Sequence, residues 1–309
     1  MKASTALVSG VRVFERGWLS ANNILLTDEH TACLVDSGYV SHAQQTLSLV
    51  RSALGDRPLD LLVNTHLHSD HCGGNQTLAN HYPHMQTVIP PGLGDAVQHW
   101  TADLLSYKAT GQNCPAFRFQ QFLQPGQTRR WANLDWDVLA APGHDPHSVI
   151  LHAPEASVLI SADALWENGF GVVFPELEGQ QGFSDVAATL DLIEQLSPTT
   201  IVPGHGRVFH DLKSALARAR SRLESFAKSP HRHALHGAKV LLKFKMMELR
   251  AVSREDFQSW AKSVPLLKTV HASSADGSVF GEWIDQLLAD LLHGGVVQES
   301  EGLLQDMAN

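Results

Sequence analysis

The chain has 309 residues, 43% hydrophobic and 18% charged, so it can bury a large core and is not an intrinsically disordered chain. Its net charge of −9 is uneven: residues 1–210 carry 10 Lys and Arg against 20 Asp and Glu, residues 211–309 carry 13 against 12, and neither part has the basic excess of a nucleic-acid binder. Cys33, Cys72 and Cys114 are too few for a disulfide framework, no apolar run approaches the ~20 residues of a membrane helix, and residues 1–10 lack a signal-peptide core, so a cytoplasmic protein with no membrane partner is expected.

In chain order, Val11–Phe14, Asn23–Thr27 and residues 31–36 read as short strands separated by turn residues. Residues 42–54 read as a helix with Leu47, Val50 and Leu54 on one face. Residues 59–65 form a near-continuous apolar run, the pattern of a strand buried on both faces. Three further strands are expected at 136–141, 148–152 and 158–161. Phe183–Leu196 is an amphipathic helix with Ser184 as its expected cap and Val186, Leu190 and Ile193 inward. A last strand follows at 199–203.

From Asp211 the texture becomes helical. Residues 212–229 form one helix, stopped by Pro230. Residues 233–250 form another, with Leu235, Ala238, Leu241, Leu242 and Leu249 as its apolar stripe. Ser253-Arg254-Glu255-Asp256 is a capping box that opens a third, running to Val264. Phe280–His293 is a fourth, ended by Gly294-Gly295. Residues 296–304 fit a small hairpin. The expected division is therefore 1–210 and 211–309.

The chain holds 18 histidines, and their positions carry the chemistry. In Thr65-His66-Leu67-His68-Ser69-Asp70-His71-Cys72-Gly73-Gly74-Asn75, three histidines and an aspartate follow directly on the buried strand. Residues two apart in an extended segment point the same way, so His66 and His68 can meet one ion. Gly73-Gly74 lets the chain turn, and Asp70 and His71 can then face a second. Three more donors close strands: His144 in Pro142-Gly143-His144, Asp163 after residues 158–161, and His205 in Pro203-Gly204-His205-Gly206. Strand C-termini are where α/β folds build their sites. The sum is His66, His68 and His144 on one ion, Asp70, His71 and His205 on the other, and Asp163 between them. Nitrogen and oxygen donors suit zinc, with manganese or iron as alternatives.

In this order the His-x-His-x-Asp-His run, Gly-His, late strand-end Asp and Pro-Gly-His-Gly resemble the metallo-β-lactamase-fold hydrolases, in their hydroxyacylglutathione hydrolase-like branch. The resemblance covers roughly residues 10–210. It implies an α/β (α+β) fold, a four-layer αββα sandwich with the metals at one edge. It further implies a dinuclear metal-dependent hydrolase, with Asp70 orienting the nucleophile and Asp36 a group supporting the ligands. His68, where oxygen-reducing di-iron members carry an acid, favours hydrolysis. Departing from the family, Asp145-Pro146 stands where Thr-x-Gly is usual. This leaves His147 either a contact to a ligand or a structural residue.

An ester, thioester or lactone is the expected small-molecule substrate. A phosphodiesterase or nuclease, and a metal-binding module without catalysis, are the alternatives. Trp166 and Phe170, on the aromatic, glycine-rich loop after Asp163, are expected to line the pocket. Cys72 is read as a packing residue. His231, His233 and His236 are read as solvated. The C-terminal part resembles the winged-helix-like domain of some of these hydrolases; its near-neutral charge makes a lid or a homodimer surface the expectation.

Overall fold

Period-two alternation builds two sheets that face each other. A computed structural model describes residues 5–101, 103–274 and 277–307. The first sheet has seven strands in chain order: Thr5–Val8, Val11–Phe14, Asn23–Thr27, Ala32–Val35, Leu61–Val63, Gln86–Ile89 and Gln121–Phe122. Its first four strands are antiparallel and the rest parallel. The second sheet has the order Thr200–Pro203, Val158–Ala162, Val149–Ala153, Leu134–Ala140, Thr128–Trp131, with only its first pair parallel. Ile24, Leu26, Cys33 and Val35 from one sheet meet Trp136, Val138, Leu151 and Ile160 from the other in a single core.

The opposite faces take helices. Leu25, Leu34 and Leu62 pack with Val50 and Leu54 of helix Ala43–Leu54 and Leu78 of helix Asn75–His81. Ile150, Leu159 and Ile201 pack with Val186, Leu190 and Ile193 of helix Phe183–Leu196, and with Ala215, Leu216 and Ala219 of helix Leu212–Lys228. The layers are thus helix, sheet, sheet, helix, the sandwich expected.

Beyond Lys228 a second core gathers helices Pro230–Leu249, Arg254–Ser263, Pro265–Ser274 and Phe280–His293. The expected hairpin is Val297–Ser300 with Leu303–Asp306, and Ala251–Ser253 joins it as a third antiparallel strand. The capping box holds, with Ser253 Oγ accepting the Asp256 N–H at 3.1 Å.

Some local expectations are corrected. Ser184 does not cap its helix; Glu176 Oε1 instead accepts the N–H groups of Gly182 at 2.6 Å and Phe183 at 2.9 Å, a longer-range cap that local spacing does not reveal. Pro230 opens the next helix, its missing N–H costing nothing in the first turn. Pro265 does the same for a further helix, Pro265–Ser274, which carries no capping signal in the sequence. Among the described residues, no helix is long and apolar enough to cross a membrane.

Candidate metal centre

The site is assembled where strands end. Ala32–Val35 runs parallel beside Leu61–Val63, so Asp36 at the end of one reaches Thr65 beyond the other. Asp36 Oδ1 accepts the Thr65 N–H at 2.9 Å, and Oδ2 accepts the Thr65 hydroxyl at 2.8 Å. The same Oδ2 lies 2.8 Å from His71 Nδ1. A carboxylate facing Nδ1 assigns the ring proton to that nitrogen and leaves the Nε2 lone pair free. His144 is fixed in the same way: its Nδ1 donates to Val172 O at 2.6 Å.

Two carboxylates are presented by uncommon backbone. Asp36 itself has φ of 59° and Ala162, just before Asp163, has φ of 46°. For residues with a side chain this region costs about 1–3 kcal/mol, so the surrounding packing must enforce it. At Ala162 the register against Thr200–Pro203 also shifts, a bulge that re-aims the next side chain. Gly204 makes room for the result, since a Cβ there would collide with Asp163 Oδ1.

Asp163 Oδ2 is thereby ringed by three imidazoles, 3.3 Å from His144 Nε2, 3.5 Å from His71 Nε2 and 3.9 Å from His205 Nε2. His68 Nδ1 stands 2.8 Å from His144 Nε2, and His205 Nε2 stands 3.1 Å from Asp70 Oδ2. Three sets of donor atoms converge within 4.8 Å: His66, His68 and His144; His66, His71 and Asp163; Asp70, His71 and His205. All seven residues singled out in the sequence are brought together.

Burial, helped by neighbouring histidines, pushes His66 far below its ordinary pKa and takes His144 to about 4; burial, with His71 adding to it, takes His68 to about 4 against Asp70 and Asp163. These three are therefore neutral at pH 7, with lone pairs available. Burial opposes charge on His71 too, but Asp36 and Asp163 outweigh it and hold that ring well above the usual value, so its Nε2 carries a proton unless a cation takes the proton's place. Burial likewise works against Asp163 ionising, and His71 and His205 reverse it, holding the carboxyl well below the carboxylate range. The cluster thus calls for positive charge among its carboxylates.

The donor set fits divalent cations. His66 Nε2, His71 Nε2 and His205 Nδ1 are buried with no hydrogen-bond partner among the described residues. Leaving such groups unpaired costs about 1–3 kcal/mol each, and for the two inward Nε2 atoms a cation is the natural partner.

Other residues sort themselves by contact. Trp166 Nε1 donates to Asp163 Oδ1 at 3.1 Å, and both Trp166 and Phe170 line a cavity of about 400 Å³ in front of the cluster. Asp145 Oδ1 accepts the His147 N–H at 2.7 Å in a local turn, and the His147 ring lies over Gly92. Cys72 is buried, its sulfur 3.8 Å from Cys114 and 3.2 Å from the Tyr107 hydroxyl. Sequence reasoning missed Trp18, which stacks on His205 at 5.6 Å, and the wall formed by Val240, Leu241 and Phe244 from helix Pro230–Leu249.

The helix histidines correct the expectation of solvation in two cases of three. His231 is exposed, but His236 is half-buried in the cavity wall and His233 is buried. His233 Nε2 accepts the Val173 N–H at 3.1 Å, on the same peptide group whose Val172 carbonyl orients His144. Burial, then His236, lowers His233 to about 4, against ~6.5 in an unfolded chain. The unfolded state therefore binds its proton first on acidification. The His233 contribution to stability is whole above pH 6.5 and is lost as pH falls towards 4, an effect of order 2–3 kcal/mol. The urea midpoint of the wild type should fall more steeply over that window than that of His233→Gln; equal slopes would remove His233 from the effect.

The family model described as "Metallo-beta-lactamase superfamily" matches residues 16–205. A probable hydroxyacylglutathione hydrolase of Schizosaccharomyces pombe is 24% identical over 64% of this chain and 68% of its own length. An acyl-coenzyme A thioesterase of Gallus gallus is 26% identical over 50% of this chain and 59% of its own. The chain spans about half the length of other curated hydroxyacylglutathione hydrolases it matches. Among solved structures, a beta-lactamase domain protein from Burkholderia ambifaria superposes with a TM-score of 0.58 at 19% identity, covering 98% of this chain and 93% of the other.

Proposed function

Since this chain belongs to the metallo-beta-lactamase superfamily, we propose that it is a hydrolase that uses two divalent cations to cleave a small acyl substrate, a thioester first among them. One observation carries the reading: a single oxygen of Asp163 faces the Nε2 atoms of His144, His71 and His205. In this reading His66, His68 and His144 hold one cation, Asp70, His71 and His205 hold the other, and Asp163 is shared. Zinc is the proposed metal, on the chemistry of the donors. Divalent cations held there supply Lewis acidity, bringing the pKa of water down towards ~7 and polarising a carbonyl.

The chain's own groups do the rest. Asp36 fixes the His71 tautomer, and the Val172 carbonyl fixes that of His144. Asp70 can accept a proton from the attacking water and aim it. Phe170, Phe174, Leu241 and Phe244 give the cavity an apolar wall that binds an acyl group and excludes bulk water. Residues 1–210 supply the metal donors of this proposal, helix Leu212–Lys228 completes the sandwich that holds them, and helix Pro230–Leu249 closes the cavity. Three free thiols, two of them 3.8 Å apart, suit the reducing cytoplasm. The relatives named for thioester substrates support a thioester over a lactone or phosphodiester.

Elemental analysis of protein purified without chelator should give two metal equivalents per chain. A value of one, unchanged by added zinc or manganese, would refute the dinuclear reading. On a panel of thioesters, lactones and phosphodiesters the thioesters should turn over fastest. Preference for phosphodiesters would make the chain a phosphodiesterase, and no turnover by the metal-loaded protein would make it a binding module.

Replacing Asp36 tests the support beneath the ligands. Asp36→Asn removes the charge behind His71 while keeping the shape. Metal affinity should fall about 10–100-fold, the usual cost of losing such a partner. Competition with a chromophoric chelator measures it, and an unchanged affinity would show that His71 needs no anchor.

A further inference from the structure

Two thiols meet behind the turn that carries metal donors. Cys72 follows His71 directly and closes the short helix Ser69–Cys72, which also holds Asp70. Its buried sulfur lies 3.2 Å from the His68 carbonyl, 3.2 Å from the Tyr107 hydroxyl and 3.8 Å from Cys114 Sγ. The last distance is van der Waals contact between two sulfurs 42 residues apart in the chain. Cys114 is half-buried, so it meets solvent where Cys72 does not. The third thiol, Cys33, is buried in the core between the sheets.

The two sulfurs sit on backbone of unequal freedom. Behind Cys72, Gly73 and Gly74 press bare backbone against their neighbours: a Cβ on Gly73 would stand 2.6 Å from Val40 N, and one on Gly74 2.6 Å from Ser37 O. Gly74 N–H donates to Gly38 O at 3.1 Å, and Ser37 N–H to His71 O at 2.7 Å. Cys114 lies instead on residues 111–120, which join helix Ser106–Thr110 to strand Gln121–Phe122 without regular structure. Closing two sulfurs from contact to a bond of ~2 Å takes a movement of about 1.8 Å, and residues 111–120 are the ones free to make it. That movement reaches the metal centre by a second route. Gln112, two residues from Cys114, lines the cavity, and its Oε1 accepts the Ser69 hydroxyl at 2.6 Å.

We propose that Cys72 and Cys114 are a redox modification site: a hydroperoxide joins them in a reversible disulfide, and the joined form holds the cations of the metal centre less tightly. Cys114, the thiol that solvent reaches, attacks one peroxide oxygen. The O–O bond breaks, one water leaves, and Cys114 becomes a sulfenic acid, oxidised by two electrons. Cys72 Sγ then attacks Cys114 Sγ. The S–O bond breaks, and the departing hydroxyl takes the Cys72 proton as a second water, with the Tyr107 hydroxyl placed to pass it on. The bridge pulls on Cys72 from one side and on Ser69 through Gln112 from the other. Asp70 and His71 lie between them, so the strain enters the turn that supplies two donors of one proposed cation. This consequence rests on the two-cation reading above; the disulfide does not.

The test uses the metal-loaded full-length protein, treated with a small excess of hydrogen peroxide, alkylated and digested. Trypsin puts the three cysteines on separate peptides, 17–51, 52–108 and 109–118, because Pro58 protects Arg57 from cleavage. Mass spectrometry should find 52–108 joined to 109–118, lighter by two hydrogens than the reduced pair, with 17–51 alkylated. Dithiothreitol should undo the link. Competition with a chromophoric chelator should show the oxidised protein holding zinc about 10-fold less tightly, the scale of a disturbed support to a ligand. Cys114→Ser should form no link, and peroxide should leave its zinc affinity unchanged. The wild-type peptides decide the linkage whatever that variant does. Alkylation of all three cysteines after peroxide, or Cys114 oxidised further with no link to Cys72, would overturn the site. A link with unchanged zinc affinity would overturn its coupling to the metal centre. A link in a protein that turns over no thioester even when reduced and metal-loaded would sink the hydrolase reading and leave the redox site standing.

Discussion

Asp163→Ala is expected to lose about 10³-fold or more in kcat, the equivalent of the several kcal/mol that metal-ion electrostatics contribute. The reason lies in how many groups depend on one oxygen. Asp163 Oδ2 faces three imidazole Nε2 atoms, and no other carboxylate oxygen among the described residues has that position. On the proposed dinuclear site, its removal would leave two cations with less negative charge to hold them together. Metal content should fall from two equivalents towards one. The fold should survive, because Asp163 stands at a strand end and the sheet core of Val158 and Ile160 lies behind it. Asp163→Asn separates charge from size: it keeps the shape and should lose nearly as much. Circular dichroism and elemental analysis accompany the kinetics, and near-wild-type turnover with both metals bound would refute the shared-ligand role.

The difference between what the sequence shows and what only the structure shows follows from distance along the chain. His66, His68, Asp70 and His71 sit within six residues, and His144, Asp163 and His205 each follow an apolar run that reads as a strand. Their convergence follows from one rule, that strand ends share an edge. The sandwich is legible for the same reason, since Ile24, Leu26, Cys33 and Val35 mark an alternating face.

Residues whose role depends on a distant approach carry no such mark. Trp18 is an aromatic in a turn until His205 is found stacked on it. His233 and His236 look like the wet face of a helix, and the loop after Asp163 together with the rings of Phe183 and Phe226, packed against that face, buries one and half-buries the other. Cys72 and Cys114 stand far apart in the chain, and the contact of their sulfurs is a tertiary fact. Strand Thr128–Trp131 escaped notice because its sequence, Thr-Arg-Arg-Trp, is that of a polar edge strand with one buried side chain.

Ending the chain at Lys228 should spare the metals and cost substrate binding, whereas ending it at His210 should cost the fold. The two cuts differ by one helix. Leu212–Lys228 buries Ala215, Leu216, Ala219 and Leu223 against Val186, Leu190 and Ile193, inside the outer layer of the sandwich. Its two buried leucines alone account for about 3–6 kcal/mol of burial, a large share of the ~5–15 kcal/mol that holds a typical domain. Helix Pro230–Leu249 has a different task. It brings His236, Val240, Leu241 and Phe244 to the cavity, with Phe244 edge-on to Tyr39 at 5.1 Å, and supplies no metal donor. Without it the apolar wall is open to water and Val172 and Leu177 lose the core they pack against. A protein of residues 1–228 should therefore bind two metals and show KM raised about 10–100-fold, from roughly 1 kcal/mol for each of the apolar contacts removed. A protein of residues 1–210 should melt far below it or fail to stay soluble. Thermal melts, metal content and KM on the best thioester decide the matter. A soluble, fully metallated 1–228 protein with unchanged kcat/KM would show that the later helices are no part of the active site, and a 1–210 protein as stable as 1–228 would show that Leu212–Lys228 is not a layer of the sandwich.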